Sequence, residues 1–493
     1  MKSFNQLIEE CEGHIRSGRA DLAAKKLAAL NTAEVPRESR LPLATLCRRA
    51  SLTSVGLRLL APIVHPERNK WRAEASQKEL AEYAVLLFRN GSTQEALITL
   101  DKVDAREVPE QPMYRGFCHI FQWEYDQAAD YLQVYLDSEP AAYSAFVARV
   151  NLAAALVSAS RLDEALKLLD ANIETARAND YHRLLGNCFE LRAQVYLRYG
   201  DYKKSRGDLS EAAKIFGSEQ TTTDQLFVAK WQSVLESIES RQTTPLVSFR
   251  EKALALRHWE SVRDTDFYFL KVAFEQERFE HLLFGTPYGS YRKRLLKEMT
   301  AKPNSDSFLY GAKNAPCLDL STGELTGSTL LKPGQKSHQL LTVLLKDFYK
   351  PIRLGGLFAE LFPDEKFDIF TSPNRIHQLL FRTRHWLESN QIPVALEEVE
   401  GNYSLRITGE FSFRVALERE AEESHEVMWR KLNRLKGDSA VVSAKEAREA
   451  LGMSRSAFHR LSVWALETGL AQKQGNGNAV RYRISDTKIE RAA

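Results

Sequence analysis

At 493 residues, 44% hydrophobic and 27% charged, the chain is too long for one core and too apolar for disorder, so several globular domains are expected. Its formal net charge of +3 neither demands nor excludes a polyanionic partner, and any nucleic-acid contact has to rest on local patches. Cys11, Cys47, Cys118, Cys188 and Cys317 stand far apart without metal-ligand spacing, which reads as five small residues of a reducing cytosol and not as a zinc site or a disulfide framework.

The N-terminal residues carry charges every few positions, and no later stretch approaches roughly 20 uncharged apolar residues, so a cytoplasmic protein without a membrane span is expected. Residues 1–220 carry a repeat. Ala23, Gly56, Ala96, Ala128, Ala165 and Ser205 recur 32 to 40 residues apart. Twelve residues before each stands a second compact side chain, Cys11, Ala44, Ala84, Gly116, Ala153 or Ala193, and four after each a leucine, Leu27, Leu60, Leu100, Leu132, Leu169 or Leu209. Compact residues at paired positions let two antiparallel helices approach closely, and a leucine one turn on fills the groove beside them. The spacing predicts six helical hairpins, with Gly91 and Gly200 placed where the chain reverses, five residues before Ala96 and Ser205.

The pattern resembles the tetratricopeptide repeat over roughly residues 5–215, with Gly116, Ala128, Leu132 and Pro140 of the fourth unit matching best. The resemblance implies an α-solenoid whose concave face holds a peptide or another protein, an architectural spacer being the alternative. Arg115, His119, Arg149, Asn151 and Arg192 are candidate groove residues. Residues 221–300 read as a helical extension, with apolar positions such as Leu226, Trp231, Leu235, Ile238, Phe267, Leu270, Phe274, Phe279 and Leu283, and a break over 284–289. The basic run Tyr291-Arg292-Lys293-Arg294 is expected to cap a helix C-terminally or to abut the next domain.

Near residues 301–312 the periodicity shifts to short alternating runs, which places a boundary there. Over 301–410, Leu318-Asp319-Leu320 and Thr329-Leu330-Leu331 read as strands about a glycine turn, and a helix follows Lys332-Pro333-Gly334-Gln335. A second helix is expected over Leu354–Phe362, a third from Ser372 to Ser389, and a strand pair with a turn from Val394 to Leu405. The order resembles the OmpR/PhoB-type winged helix, matched best by His377, Leu380, Arg382, Thr383, Arg384 and Leu387 and by Gly401-Asn402-Tyr403-Ser404-Leu405. The resemblance implies that the third helix enters the major groove of DNA. Its spacing puts Ile376, Leu380, Thr383 and Leu387 in the core, and Arg375, Gln378, Arg382 and His385 on a face offering donors to phosphates or a guanine edge. Glu397, Glu398 and Glu400 in the wing repel phosphate, so protein docking is this module's alternative use.

Residues 411–436 run from acidic, Glu418 to Glu423, to basic, Arg430 to Lys436, and read as a charged connecting helix that enters the next domain through Val427, Leu432 and Leu435. In 437–493, Ser443-Ala444-Lys445-Glu446 is a capping box, Gly452 turns the chain, and Ser454 caps a second helix through Phe458, Leu461 and Leu466. Lys473 to Asn478 forms a tip before the strand Val480–Ile484. This resembles a bacterial winged helix-turn-helix, which implies DNA contacts from Ser454, Arg455, Ser456, His459 and Arg460, and from Lys473, Arg481 and Arg483 about the wing. From His425 onward 13 basic residues face 7 acidic ones, a local field that favours a polyanion; dimerisation or protein docking is the alternative.

No nucleophile motif, phosphate-cradling loop or HExxH is present, and nothing points to catalysis, a metal or a cofactor. The expected fold is mainly α, an N-terminal α-solenoid followed by two small α+β winged-helix domains. The expected function is DNA-binding transcriptional regulation, with the repeat region sensing a partner protein, peptide or other signal. Double-stranded DNA is the expected partner, RNA polymerase a further candidate, and the oligomeric state stays open. The alternative is a non-catalytic helical scaffold whose winged modules bind protein.

Overall fold

The computed structural model describes residues 4–17, 19–65, 67, 73–217, 222–325, 328–417, 424–435, 441–475 and 480–484. The chain divides into two compact units. One comprises Met1–Asp306, Lys346–Gln378 and Glu397–Ser404, the other Ser307–Leu345, Leu379–Leu396 and Leu405–Ala493.

The first unit opens with the expected hairpins: α1 (Phe4–Arg16) and α2 (Ala20–Ala28), α3 (Arg37–Arg49) and α4 (Thr53–Val64), α5 (Gln77–Asn90) and α6 (Thr93–Leu100), α7 (Gln111–Phe121) and α8 (Tyr125–Asp137), α9 (Ala142–Ser158) and α10 (Leu162–Ala178), α11 (His182–Tyr199) and α12 (Tyr202–Phe216). The register residues are buried throughout, from Cys11, Ala23 and Leu27 to Ala193, Ser205 and Leu209. Gly116 gives the reason: a Cβ there would lie 3.0 Å from Leu132 Cγ and 3.3 Å from the Ala128 carbonyl oxygen. At the sixth crossing the Ser205 hydroxyl donates to the Ala193 carbonyl (2.9 Å).

In the second to sixth hairpins the chain turns left-handed five residues before the compact residue. Gly91 and Gly200 do so at φ 99° and 78°, but so do Ser51, Trp123 and Ser160 at 61°, 62° and 68°. A side chain in that region costs roughly 1–2 kcal/mol, so these turns are held by the packing on either side.

Two further hairpins continue the array, α13 (Thr223–Ser240) with α14 (Thr244–Ala255) and α15 (Trp259–Val272) with α16 (Gln276–Phe284). They keep the twelve-residue offset with larger side chains, Val234 to Leu246 and Phe267 to Phe279, all buried. After the break, α17 (Gly289–Met299) contains the basic run in its first turns and not at a helix C-terminus. Arg292 Nε donates to the Thr286 carbonyl (2.7 Å), and Arg294 Nε pairs with Glu298 (2.7 Å) over the Phe267 ring. Backbone and carboxylate partners thus absorb two of its three cations.

The second unit begins with β1 (Ser307–Gly311), β2 (Cys317–Asp319), β3 (Glu324–Leu325), β4 (Ser328–Thr329) and α18 (Lys336–Leu344). The chain then re-enters the first unit over Lys346–Gln378, carrying β5 (Ile352–Arg353), α19 (Leu354–Leu361) and the opening turns of α20 (Ser372–Ser389). This segment is docked on the helical array. Arg263 of α15, wholly buried, pairs with Asp347 and lies between the rings of Trp123, Tyr288 and Tyr349, each 5.0–5.2 Å from its guanidinium carbon. Tyr349 Oη donates to Asp266 (2.9 Å), Phe348 N to the Gly285 carbonyl (3.0 Å), Lys350 Nζ to Glu260 (2.9 Å) and Phe367 N to Glu95 (2.8 Å). At the α5–α6 turn the backbones nearly touch: a Cβ on Gly91 would stand 2.8 Å from Gly356 N.

The chain continues through β6 (Val394–Val399), β7 (Asn402–Ile407) and β8 (Ser412–Ala416). One sheet has the order β1-β8-β2-β3-β4, another β5-β7-β6. β8 is a correction to the expected connecting helix over 411–436: it pairs antiparallel with β1 and parallel with β2, and Phe411, Phe413 and Val415 are buried. Their period of two is the strand signal that the charged residues downstream obscured. The helical part is α21 (Ser424–Leu435), while the acidic run 418–423 lies outside the described residues.

β9 (Val441–Ser443), α22 (Ala444–Leu451), α23 (Arg455–Glu467), β10 (Ala471–Gln474) and β11 (Arg481–Ile484) form the last module, with sheet order β10-β11-β9. Trp429 and Leu432 of α21 join Ala447, Leu451, Phe458, Leu461, Ala465 and Ile484 in its core. The caps stand where the sequence places them. Ser443 and Glu446 form the reciprocal box (2.8 and 3.2 Å), Gly452 turns at φ 62°, and Ser454 Oγ accepts from Ala457 N (3.2 Å). The tip 476–479 lies outside the described residues.

Candidate functional site

The helical array lines a solvent-open cavity of about 850 Å³. Its wall comes from the first helices of successive hairpins. In α9, α11, α13 and α15 the residue three before the compact position faces it, giving Val150, Glu190, Trp231 and Asp264. Asn151, Asn187, Gln194, Phe227, Lys230 and Tyr268 add amides, rings and a cation, and α17 contributes Ser290, Tyr291 and Lys293. Of the five candidate groove residues, Asn151 alone lines it. Arg115 instead pairs with Asp101, His119 Nδ1 lies 2.7 Å from Glu124, Arg192 binds Asp208 (2.8 Å) and Asp170 (2.7 Å), and Arg149 covers the Phe146 ring.

Two buried charges define the cavity's chemistry. Lys230, 4% exposed, donates to Asp264 (2.7 Å) and stands 4.4 Å from the Trp231 ring centroid. Glu190, 6% exposed, accepts from Gln194 Nε2 (2.8 Å) and forms no ion pair among the described residues. Burial pushes its carboxyl up to about 7, against the opposing pull of the Lys230 charge and of the Gln194 and Trp231 donors. The folded protein therefore holds this proton more tightly than the unfolded chain. The associated stability is complete below the ordinary carboxyl value of 4.5 and is lost as pH rises to about 7. Glu190→Gln should leave stability nearly unchanged at roughly pH 4 and raise it by about 3 kcal/mol at pH 8. Urea melts at the two pH values check this, and an equal shift at both would contradict it.

In α20, Ile376, Leu380, Thr383 and Leu387 are buried, as their spacing requires. Gln378, Arg382 and His385 are exposed. Arg375 is turned back: its Nη2 lies 2.9 Å from Glu365 Oε1 and its guanidinium carbon 4.0 Å from the Phe362 centroid. Phe381, 72% exposed, stands next to Arg382 and escaped a reading that looked for donors. The β6–β7 hairpin reverses at Glu400-Gly401, both at positive φ, leaving Glu398 and Glu400 exposed; Arg406 of β7 is an exposed cation the sequence reading missed.

In the last module Arg455, Ser456, His459 and Arg460 form an exposed face of α23, joined by Val463. Ser454 serves as the N-cap and so positions that face. The pleat separates the three cations of the β10–β11 pair. Arg481 and Arg483 share a side of the sheet with Gln474 and Gln472, while Lys473 stands opposite Tyr482 on the other. Arg455, Arg460, Lys473 and Arg483 make no ion pair among the described residues, and Arg481 lies in the field of Glu446.

Among the described residues no group of His, Cys, Asp and Glu is placed to hold a metal ion, and no helix is long and apolar enough to cross a membrane. No family model matches the chain, and no curated protein matches it. Among solved structures it is similar to the apo form of RapI, at 13% identity and a TM-score of 0.38 over 57% of this chain and 85% of that one. It is also similar to a tetratricopeptide repeat protein from Parabacteroides merdae, at 17% identity and 0.34 over 60% and 99%. A Rap protein complexed with Competence and Sporulation Factor is similar at 17% identity and 0.36 over 60% and 85%.

Proposed function

We propose that the chain is a DNA-binding transcriptional regulator, in which the two small α+β modules act as winged helices and the helical array receives a partner protein or peptide. The observation that carries this reading is the exposed face of α23, where Arg455, Ser456, His459 and Arg460 stand on a capped helix without carboxylate partners among the described residues. Cations not already neutralised are the ones that displace counterions from phosphate. For the first module the support is its order of α18, β5, α19, α20 and the β6–β7 hairpin, the succession of the OmpR/PhoB type. For the array it is the lining of the cavity. Asn151, Asn187 and Gln194 can pair with peptide groups, while Phe227, Trp231 and Tyr268 can cover apolar side chains.

The exposed Phe381 and the carboxylates of Glu398 and Glu400 favour a second reading for the first module alone, docking against protein, RNA polymerase included. The test of the whole reading is retardation of labelled genomic duplexes by the full chain. We expect binding at roughly micromolar or lower concentration in low salt, weakening steeply toward physiological salt. No retardation of any duplex in low salt would favour the scaffold.

A further inference from the structure

Helix α15 works on two faces. Glu260, Asp264 and Tyr268, each one turn from the next, line the cavity. Arg263 and Asp266 lie on another face of the same helix and hold the docked segment, Arg263 through Asp347 and Asp266 through Tyr349. Glu260 belongs to both, since it lines the cavity and binds Lys350. Trp123 repeats the arrangement from the other side, lining the cavity while its ring stacks on Tyr288 (4.7 Å) and covers Arg263.

We propose that the cavity is an effector site, and that α15 transmits its occupancy to the docking of Lys346–Gln378 on the array. The inference rests on the reading of the array as the part that receives a ligand. The physical argument turns on two unequal ion pairs. Glu260 and Lys350 are partly exposed, at 47% and 30% of their side chains, so each can turn to solvent when the pair separates. Arg263 is wholly buried and cannot leave Asp347 without becoming an unpaired buried charge. A shift of α15 therefore loosens the outer pair and drags or strains the inner one, so the docked segment follows the helix. What responds is the stretch bearing β5, α19 and the first turns of α20.

The effector can be replaced by a side chain. Ala154 and Ser158, partly exposed on α9, line the cavity and are not among the residues that hold the docked segment. Ala154→Phe and Ser158→Phe should fill it, and amide hydrogen exchange on the full-length protein reads the result. The expected outcome is a change of about tenfold or more in exchange over 347–367, in either direction, with helicity retained. A smaller change there in the folded variants overturns the coupling. If Ala154→Phe does not fold, Ser158→Phe decides. Exchange is measured without DNA, so a chain that binds no duplex yet responds this way would lose the regulator reading and keep the coupling.

Discussion

Ala128→Arg should unfold the centre of the array. Ala128 is wholly buried where α8 crosses α7, and Gly116 opposite it has no room even for a Cβ without crowding the Ala128 carbonyl oxygen at 3.3 Å. An arginine there meets the closely packed backbone of the α7–α8 crossing. Overpacking and the burial of an unpaired charge together cost on the order of 5 kcal/mol, comparable to the whole stability of many domains. Because each hairpin buries its apolar face against its neighbours, the damage should spread into α5–α6 and α9–α10. Circular dichroism and a thermal melt decide the matter. Unchanged ellipticity with a midpoint within about 2 °C of the parent would overturn the register.

The second large effect is expected in the DNA binding proposed above. Arg455→Ala with Arg460→Ala should weaken duplex binding by on the order of 2 kcal/mol, roughly thirtyfold, and flatten the salt slope by about one unit for each phosphate left unneutralised. Arg375→Ala with Arg382→Ala should do less. Arg375 already spends its charge on Glu365, whereas Arg455 and Arg460 have no such partner among the described residues. The exposed Glu398 and Glu400 of the β6–β7 hairpin should act in the same direction, since a carboxylate near phosphate is repulsive. Fluorescence anisotropy across a salt series compares the two double variants. Equal losses, or a larger one from the first module, would refute this division of labour.

What the sequence made legible is what local packing or local hydrogen bonding dictates. A helix crossing admits only compact residues, so Ala23 to Ser205 and their partners twelve positions earlier announce six hairpins. The caps at Ser443 and Ser454 and the limits of α20 are equally local. The seventh and eighth hairpins escaped because Val234, Leu246, Phe267 and Phe279 occupy their crossings, and a search for small residues passes over them. The left-handed turns at Ser51, Trp123 and Ser160 escaped because neighbours, not glycine, hold them. The cavity could be read only once those hairpins were in register, since half of its repeating wall, Trp231 and Asp264, belongs to them. The pairing of Arg375 escaped for a different reason: Glu365 lies in the segment before the helix, outside any helical periodicity.

The docked segment also sets an order of events on the ribosome. Each hairpin of the array joins neighbours in sequence, but Arg353 reaches the Arg89 carbonyl across 264 positions and Phe367 reaches Glu95 across 272. At synthesis rates of about 5–20 residues per second, the turn at Gly91 is made roughly 10 to 50 s before Gly356 can cover it. Arg263 waits as well, 84 positions ahead of Asp347. A nascent array therefore has to stand on its own stacking while a guanidinium sits among aromatic rings with its carboxylate still unmade. A chain released between residues 300 and 346 would lack both Asp347 and the Tyr349 ring, so Arg263 would keep only Trp123 and Tyr288 beside it. Truncated products that lack the docked segment should therefore be the less stable ones and the more readily cut by proteases.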